Sequence, residues 1–342
     1  MGGALTGKWV WIWNLRRCEG GNLDRIAARL KSAGCRGALV KAFDGGYWFD
    51  QGQAFREICR GLKARGISVG GWGYLYGRDP AGEAQRAIET ANYGEADLLM
   101  LDVETEFKGR SDAARDVCGR IRSALPGYPV YYSSFAIARY HRAFPFEQFH
   151  RSTQGTAPQV YWNAFRWPLE QSLDMTYTDY AAMGIPPSLI HPVAGVYKEG
   201  YVTYPLPHEV REFVRQASAR GSPGVSFWSY EHMDESMWQA VASASPAGEE
   251  AELSSQEYEQ LTKQIAIVGS RVDRLAVEVA SLKGGAPAPS APRQYTVQPG
   301  DTLSGIAQKL GLATWQRLYE ANAATIGGNP NLIRPGQVLV VP

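Results

Sequence analysis

The sequence is poor in the residues that hold metals and close disulfides. Its four cysteines, Cys18, Cys35, Cys59 and Cys118, contain no CxxC pair and no metal-ligand spacing. That pattern excludes a disulfide-stapled scaffold and reads as buried free thiols. The five histidines, His141, His150, His191, His208 and His232, form neither HxH nor HExxH, so a zinc hydrolase is not expected. GxSxG is absent, and Cys59 and Cys118 fall mid-helix, which sets aside serine and cysteine nucleophiles. No metal and no cofactor are expected. No apolar run approaches the roughly 20 residues of a membrane helix. The 35 Lys and Arg nearly cancel the 34 Asp and Glu, so no broad basic footprint for nucleic acid is expected. The opening MGGALTGKWVWIW lacks a basic segment, a long apolar core and a small-residue cleavage site; no secretory leader is expected.

Aromatic residues are abundant instead, with 10 Trp and 18 Tyr, and every Trp except Trp315 precedes residue 240. Over residues 1–245, strand-like runs alternate with amphipathic stretches. The runs are 9–14, 37–42, 67–75, 97–103, 129–133, 158–163, 190–196 and 223–229. Gly34, Gly66, Gly127, Gly184 and Gly221 sit where the intervening helices should stop. Eight such units predict an α/β fold, a (β/α)8 TIM-type barrel. The rival, an open doubly wound sheet, is disfavoured because no GxGxxG follows the first strand.

Residues 246–257 are small and acidic and mark a boundary. Within 246–283 a heptad follows, with Tyr258, Ile265, Val272 and Val279 on one seam and Leu261, Val268, Leu275 and Leu282 on the other. β-Branched residues at one seam and mostly Leu at the other predict a parallel two-stranded coiled coil over 258–282, hence a homo-oligomer. A trimer and a single helix lying on the barrel are the alternatives. Residues 284–293, GGAPAPSAPR, read as a linker, and 294–342 as a small βααβ unit.

Catalytic groups of such a barrel belong at the C-terminal ends of its strands. The fourth strand ends Leu101-Asp102-Val103-Glu104, so two carboxyls share one face at the predicted mouth. A partly desolvated carboxyl beside another carboxylate has its pKa raised, as the general acid of glycoside hydrolysis requires. Salt-bridging of this pair to Lys41 or to an Arg at the barrel rim is the competing reading. Other strand ends offer Trp13, Lys41, Tyr74, Tyr76, Tyr132, Trp162 and Trp228 as sugar-binding groups, with Asn14, Asp44, Glu231 and Asp234 as supporting polar groups.

The C-terminal unit resembles the LysM domain through YTV at 295–297, GDTLSGIA at 300–307, Asn322 and NPNLIRPGQVL at 329–339. The resemblance implies binding of N-acetylglucosamine-containing glycans, peptidoglycan or chitin, between Gly300, Asp301, Thr302, Leu303 and the facing Asn331, Leu332, Ile333. The barrel resembles glycoside hydrolase family 25, the lysozyme-like muramidases, through LVKAFDG at 39–45, GWGYLYG at 71–77, LLMLDVE at 98–104, YYSS at 131–134 and VYW at 160–162. That resemblance implies Glu104 as general acid, with Asp102 orienting the substrate's N-acetyl group or stabilising charge at the anomeric carbon. The family's first-strand Asp is missing, and Asn14 stands nearest to it. The expectation is therefore a peptidoglycan hydrolase of muramidase type, made in the cytoplasm and acting at the bacterial cell wall as a phage lysin or virion component. A non-catalytic wall-binding protein and a chitinase-like glycosidase are the alternatives.

Overall fold

The computed structural model describes residues 5–246, 268–272, 274–275, 279, 294–312, 314–327 and 329–342. The chain divides into two compact units, Met1–Glu252 and Leu253–Pro342.

The first unit is a closed barrel of eight parallel strands: β1 (Gly7–Ile12), β2 (Cys35–Asp44), β3 (Ser68–Leu75), β4 (Leu98–Val103), β5 (Val130–Phe135), β6 (Gly155–Val160), β7 (Val193–Gly195) and β8 (Gly224–Trp228). β1 pairs with both β2 and β8, which closes the ring. A two-residue strand, Tyr47–Trp48, folds back antiparallel on β2. One principal helix follows each strand: α1 (Leu23–Ser32), α2 (Phe55–Ala64), α3 (Pro80–Asn92), α4 (Ser111–Ala124), α5 (Phe146–Ser152), α6 (Leu169–Ala182), α7 (Pro207–Ala219) and α8 (Glu235–Ala242).

Local sequence sets these boundaries. Asn22 caps α1 by accepting from the Arg25 amide, and Asp79 caps α3 ahead of Pro80. Gly34 and Gly66, just past α1 and α2, adopt φ of +64° and +75°. A side chain there would clash with the backbone, so glycine ends each helix at low cost.

Two cores result from the strand alternation. Outward residues such as Val10, Val40, Val69, Leu99 and Tyr132 pack under the helices. Inward residues fill the barrel: Trp9, Trp11, Leu39, Trp72, Leu98, Met100, Tyr131, Ala157 and Val193, with Tyr161 and Trp228 against them. Three indoles meet edge-on there, with Trp11–Trp72, Trp11–Trp228 and Trp72–Trp228 centroids 5.2, 5.6 and 5.5 Å apart. The barrel is thus plugged below its mouth, as packed interiors of this architecture are. Glycine makes room for this content: a Cβ at Gly37 would lie 2.4 Å from the Trp9 ring. All four cysteines are buried free thiols, and burial pushes those of Cys35 and Cys118 up to about 12.

The sixth strand departs from the sequence expectation. It runs from Gly155 to Val160, and Trp162 opens a short helix, Trp162–Phe165, instead of ending the strand.

The second unit contains β9 (Gln294–Thr296), α9 (Leu303–Lys309), α10 (Trp315–Glu320), a helical turn at Ala323–Ile326 and β10 (Val338–Val340), with β9 and β10 antiparallel. Val297, Leu303, Ile306, Leu318 and Leu339 form its core. Asn322 is buried and ties the unit together. Its amide donates to the Leu318 and Val340 carbonyls at 2.8 and 2.7 Å and accepts from the Val340 amide at 2.7 Å. Of the predicted heptad, Val268, Val272, Leu275 and Val279 are helical and exposed. Tyr258, Leu261, Ile265 and Leu282 lie outside the described residues. No helix among the described residues is long and apolar enough to cross a membrane.

Candidate active site

The inward face of β4 carries Leu98, Met100 and Asp102 in sequence. The parallel register sets Asp102 between Tyr74 on β3 and Ser133 on β5. Glu104 follows immediately after the strand. The two carboxyls line a cavity of about 250 Å³ at the mouth, together with Trp11, Ser133, Gln159, Tyr161 and Trp228. They lie two strand positions apart, roughly 6.5–7 Å along the backbone, and project from the same strand.

Gln159, inward-facing on β6, joins them. Its side-chain amide donates to Asp102 Oδ1 at 3.1 Å, to Glu104 Oε1 at 2.8 Å and to Ser133 Oγ at 3.3 Å. Asp102 is only 6 % exposed. Burial, then the neighbouring Glu104 charge, raises its pKa well above the usual carboxylate range, against the opposing pull of Lys41 and the hydrogen bonds from Ser133 and Gln159. Glu104 is nearer solvent, and burial raises its pKa too, with Glu106 adding and Gln159 opposing. Desolvation of two close carboxyls favours the protonated forms. A carboxyl so held is a proton donor to an oxygen placed in the cavity.

Around this centre, Tyr74 donates to Glu106 at 2.5 Å, and burial followed by that bond raises the Tyr74 phenol strongly. Tyr76 donates to Asp44 Oδ1 at 2.7 Å. Lys41, 5 % exposed, pairs with Asp44 at 2.5 Å. Its ammonium lies over the Phe49, Trp72 and Trp13 rings at 4.3, 5.0 and 5.9 Å. The ion pair therefore joins Lys41 to Asp44 and not to the β4 carboxyls. Trp13 remains 38 % exposed at the rim.

Several expected site residues sit elsewhere. Tyr132 and Trp162 face outward: Tyr132 stacks on Phe149 at 5.7 Å and Trp162 on Phe213 at 5.4 Å, both under the helices. Their neighbours Tyr131 and Tyr161 face inward. Strand parity decides this, and the early end of β6 hid it. Glu231 accepts from the backbone amides of Trp13 and Asn14 at 3.0 and 2.7 Å, locking the end of β1. Asn14 caps the turn at Leu15–Arg17, and Asp234 caps α8. These three polar groups fold loops and do not line the carboxyl cavity. Gln159 and Ser133 were missed; a lone glutamine carries no motif, and only its inward parity on β6 marks it.

In the small unit, Thr302 caps α9 by accepting from the Gly305 amide at 3.1 Å. Asp301 accepts from Lys309, Tyr295 and the Gln298 amide at 2.7, 2.8 and 2.9 Å, which holds its pKa down at about 2. Gly300 takes φ of +87°. Leu303 is a core residue, 4 % exposed, whereas Leu332 is 62 % exposed; Ile333 is partly buried against the core. Asn331 donates its backbone amide to Asn329. Among the described residues no three His, Cys, Asp or Glu side chains converge as metal ligands would.

The fold is a closed (β/α)8 barrel of TIM type, followed in the chain by a LysM domain. Residues 295–342 match the LysM domain family. No curated protein matches the chain. Solved structures share the barrel fold at low identity. Active domain 2 of a chitinase from Pyrococcus furiosus is 11% identical, with a TM-score of 0.56, covering 70% of this chain and 94% of that one. The spore cortex-lytic enzyme SleL of Bacillus megaterium is 7% identical at a TM-score of 0.52, covering 71% and 75%. The chitinase-like agglutinin of Robinia pseudoacacia is 10% identical at 0.52, covering 69% and 98%. These structures share the barrel fold with this chain, and they do not show the family 25 likeness expected from short motifs.

Proposed function

We propose that the barrel hydrolyses glycosidic bonds of an N-acetylated glycan of the bacterial cell wall, with Glu104 as general acid and the substrate's own acetamido group as internal nucleophile. One observation carries this reading: Asp102 and Glu104 are the only carboxyls among the residues lining the cavity, and both come from one strand. Direct displacement and water-activating mechanisms both need a second carboxylate flanking the bond from the opposite side. Here the rest of the wall is Trp11, Trp228, Tyr161 and neutral polar groups. An acetamide oxygen supplied by the sugar removes that need. Asp102, at the cavity floor, orients the acetamide N–H, and Glu104 protonates the leaving oxygen. Both carboxyls thus have work without a first-strand Asp, which explains why Asn14 can act as a turn cap instead.

The LysM domain supports the wall as substrate, since the expected ligands of that family are N-acetylglucosamine polymers. The narrower form of the proposal is a muramidase, delivered as a phage lysin or virion component. The exposed seam of Val268, Val272, Leu275 and Val279 supports pairing of two copies, which would present two weak LysM modules together.

Purified peptidoglycan incubated with wild type and with Glu104→Gln tests the reading. New reducing ends from wild type alone support it; muramic-acid ends select the muramidase form, and glucosamine ends a glucosaminidase. Release from chitin with none from peptidoglycan would move the substrate to chitin. No new ends from either substrate, with both proteins still sedimenting with the wall, would leave a glycan-binding barrel without chemistry.

A further inference from the structure

A second cavity of about 290 Å³ opens beside the catalytic one and shares two of its walls, Gln159 and Tyr161. The β5–α5 and β6–α6 connections supply the rest of its lining, chiefly Phe135, Tyr140, His141 and Trp167. These walls are mostly apolar. Phe135 stacks on His141 at 3.6 Å, and Phe165 and Trp167 are partly buried against the barrel core. Burial, then the nearby Lys108 charge, lowers the His141 pKa and keeps the imidazole neutral.

The edge of this cavity is cationic. Its two connections, 136–145 and 161–168, carry Arg139, Arg142 and Arg166 and no Asp or Glu. The Gly109 amide donates to the Ala143 carbonyl at 2.8 Å, which lays the β4–α4 connection alongside 141–143. From that connection the Lys108 ammonium lies 4.9 Å from the Phe135 ring centroid. Two of the cations are engaged elsewhere: Arg139 pairs with Asp179 of α6 at 2.5 Å, and Arg166 lies over Tyr201 at 5.0 Å. Lys108 and Arg142 have no carboxylate partner among the described residues. A neutral sugar gains little from two unpaired cations beside an apolar hollow, whereas a carboxylate gains charge-assisted hydrogen bonds from them.

We infer that this cavity receives a peptide branch of the wall glycan: the stem peptide of the muramoyl residue seated in the catalytic cavity, with its small apolar side chains against Phe135 and Tyr140 and its carboxylates toward Lys108 and Arg142. This rests on the glycosidase reading above, in its peptidoglycan form. The shared walls, Gln159 and Tyr161, put the cavity within reach of a branch leaving the sugar beside Glu104. Its volume lies at the lower limit of small-ligand pockets, about 300–1,000 Å³, which suits the first residues of a peptide. Chitin carries only hydroxyl and acetamido groups and offers these cations no counter-charge; a wall peptide does. The consequence is selection for peptide-bearing strands over chitin and over glycan already stripped of its peptides.

The test is calorimetric titration of full-length Glu104→Gln with a soluble peptidoglycan tetrasaccharide bearing its stem peptides, and with the same tetrasaccharide stripped of them. The peptide-bearing fragment is expected to bind about tenfold more tightly at low salt, and this advantage to shrink as salt screens the charges. Adding Lys108→Glu or Arg142→Glu should remove most of it; the LysM contribution is common to all three proteins and drops out of the comparison. Arg142 is exposed, so its reversal tests the charge without disturbing the core, and an unchanged melting temperature checks that. Equal affinity for the two fragments, or a peptide advantage that survives both reversals, overturns the peptide site. Hydrolysis by wild type is read separately. New reducing ends from the stripped fragment keep the glycosidase reading whatever the titrations return, and none from either fragment overturns that reading together with the substrate assignment built on it.

Discussion

Gln159→Leu isolates the electrostatic logic of the mouth. The substitution keeps side-chain volume and removes the one amide that donates to both carboxyls, at 3.1 Å to Asp102 and 2.8 Å to Glu104. A hydrogen bond to a charged acceptor contributes about 1.5–3 kcal/mol, and that stabilisation is specific to the ionised form. Each pH unit of carboxyl titration corresponds to about 1.4 kcal/mol. Loss of the donor should therefore carry the carboxyls, whose pKa values burial already raises, further upward. The proposed general acid then stays protonated to higher pH, and the alkaline limb of the kcat/KM profile moves up. The assay is initial rates on soluble glycan oligomers across pH, since kcat/KM reports groups of the free enzyme. Ser133→Ala separates the two carboxyls: Ser133 hydrogen-bonds Asp102 and not Glu104, so if Glu104 is the acid that sets the limb, this substitution should move it much less than Gln159→Leu. An alkaline limb that stays in place in a Gln159→Leu protein of unchanged melting temperature would refute the reasoning.

Further outcomes follow from the same geometry. Because folding raises the Asp102 pKa, its stabilising contribution is present below the unfolded value and lost as pH rises through the folded one. Asp102→Asn should accordingly melt higher than wild type at neutral pH, with the gap closing toward pH 4, while hydrolysis falls. Trp162→Ala should cost about 3–5 kcal/mol in denaturant unfolding, whereas Trp228→Ala, partly buried at the cavity wall, should cost less stability and lower turnover. In the LysM domain, Asn322→Ala breaks three hydrogen bonds of a buried side chain, on the order of 2–4 kcal/mol, enough for a domain this small to lose wall retention in a sedimentation assay. Asp301 has its pKa lowered from 3.8 to about 2 by Lys309 and the Gln298 amide. That contribution is present above pH 4 and lost as pH falls through 2, so the LysM signals in NMR should broaden over that window and Asp301→Asn should flatten the effect.

Much of this architecture was legible from local pattern. Eight apolar runs with glycine after their helices specify the barrel, because periodicity and helix stops are properties of short segments. The LysM unit was legible end to end because its match spans one small, contiguous domain. The joint position of Asp102 and Glu104 at the mouth was legible for the same reason: they lie two residues apart at the end of one strand, and that spacing is a local fact.

What needed the tertiary structure is whatever depends on two strands at once. No local signal says that β6 ends at Val160, and that boundary sends Tyr161 into the barrel and Trp162 under α7. Gln159 meets the carboxyls only because β5 pairs with β4 on one edge and β6 on the other, bringing Gln159 to within 2.8 Å of Glu104, 55 residues earlier in sequence. Asn14, Glu231 and Asp234 are chemically able to serve a sugar, and backbone amides that need acceptors claim them instead. The sequence alone determined which strand brings the paired carboxyls to the mouth, since alternation along one strand sets their face. Only the closed barrel decided which distant groups surround those carboxyls, because hydrogen-bond partners and desolvation arise between segments that meet only after folding.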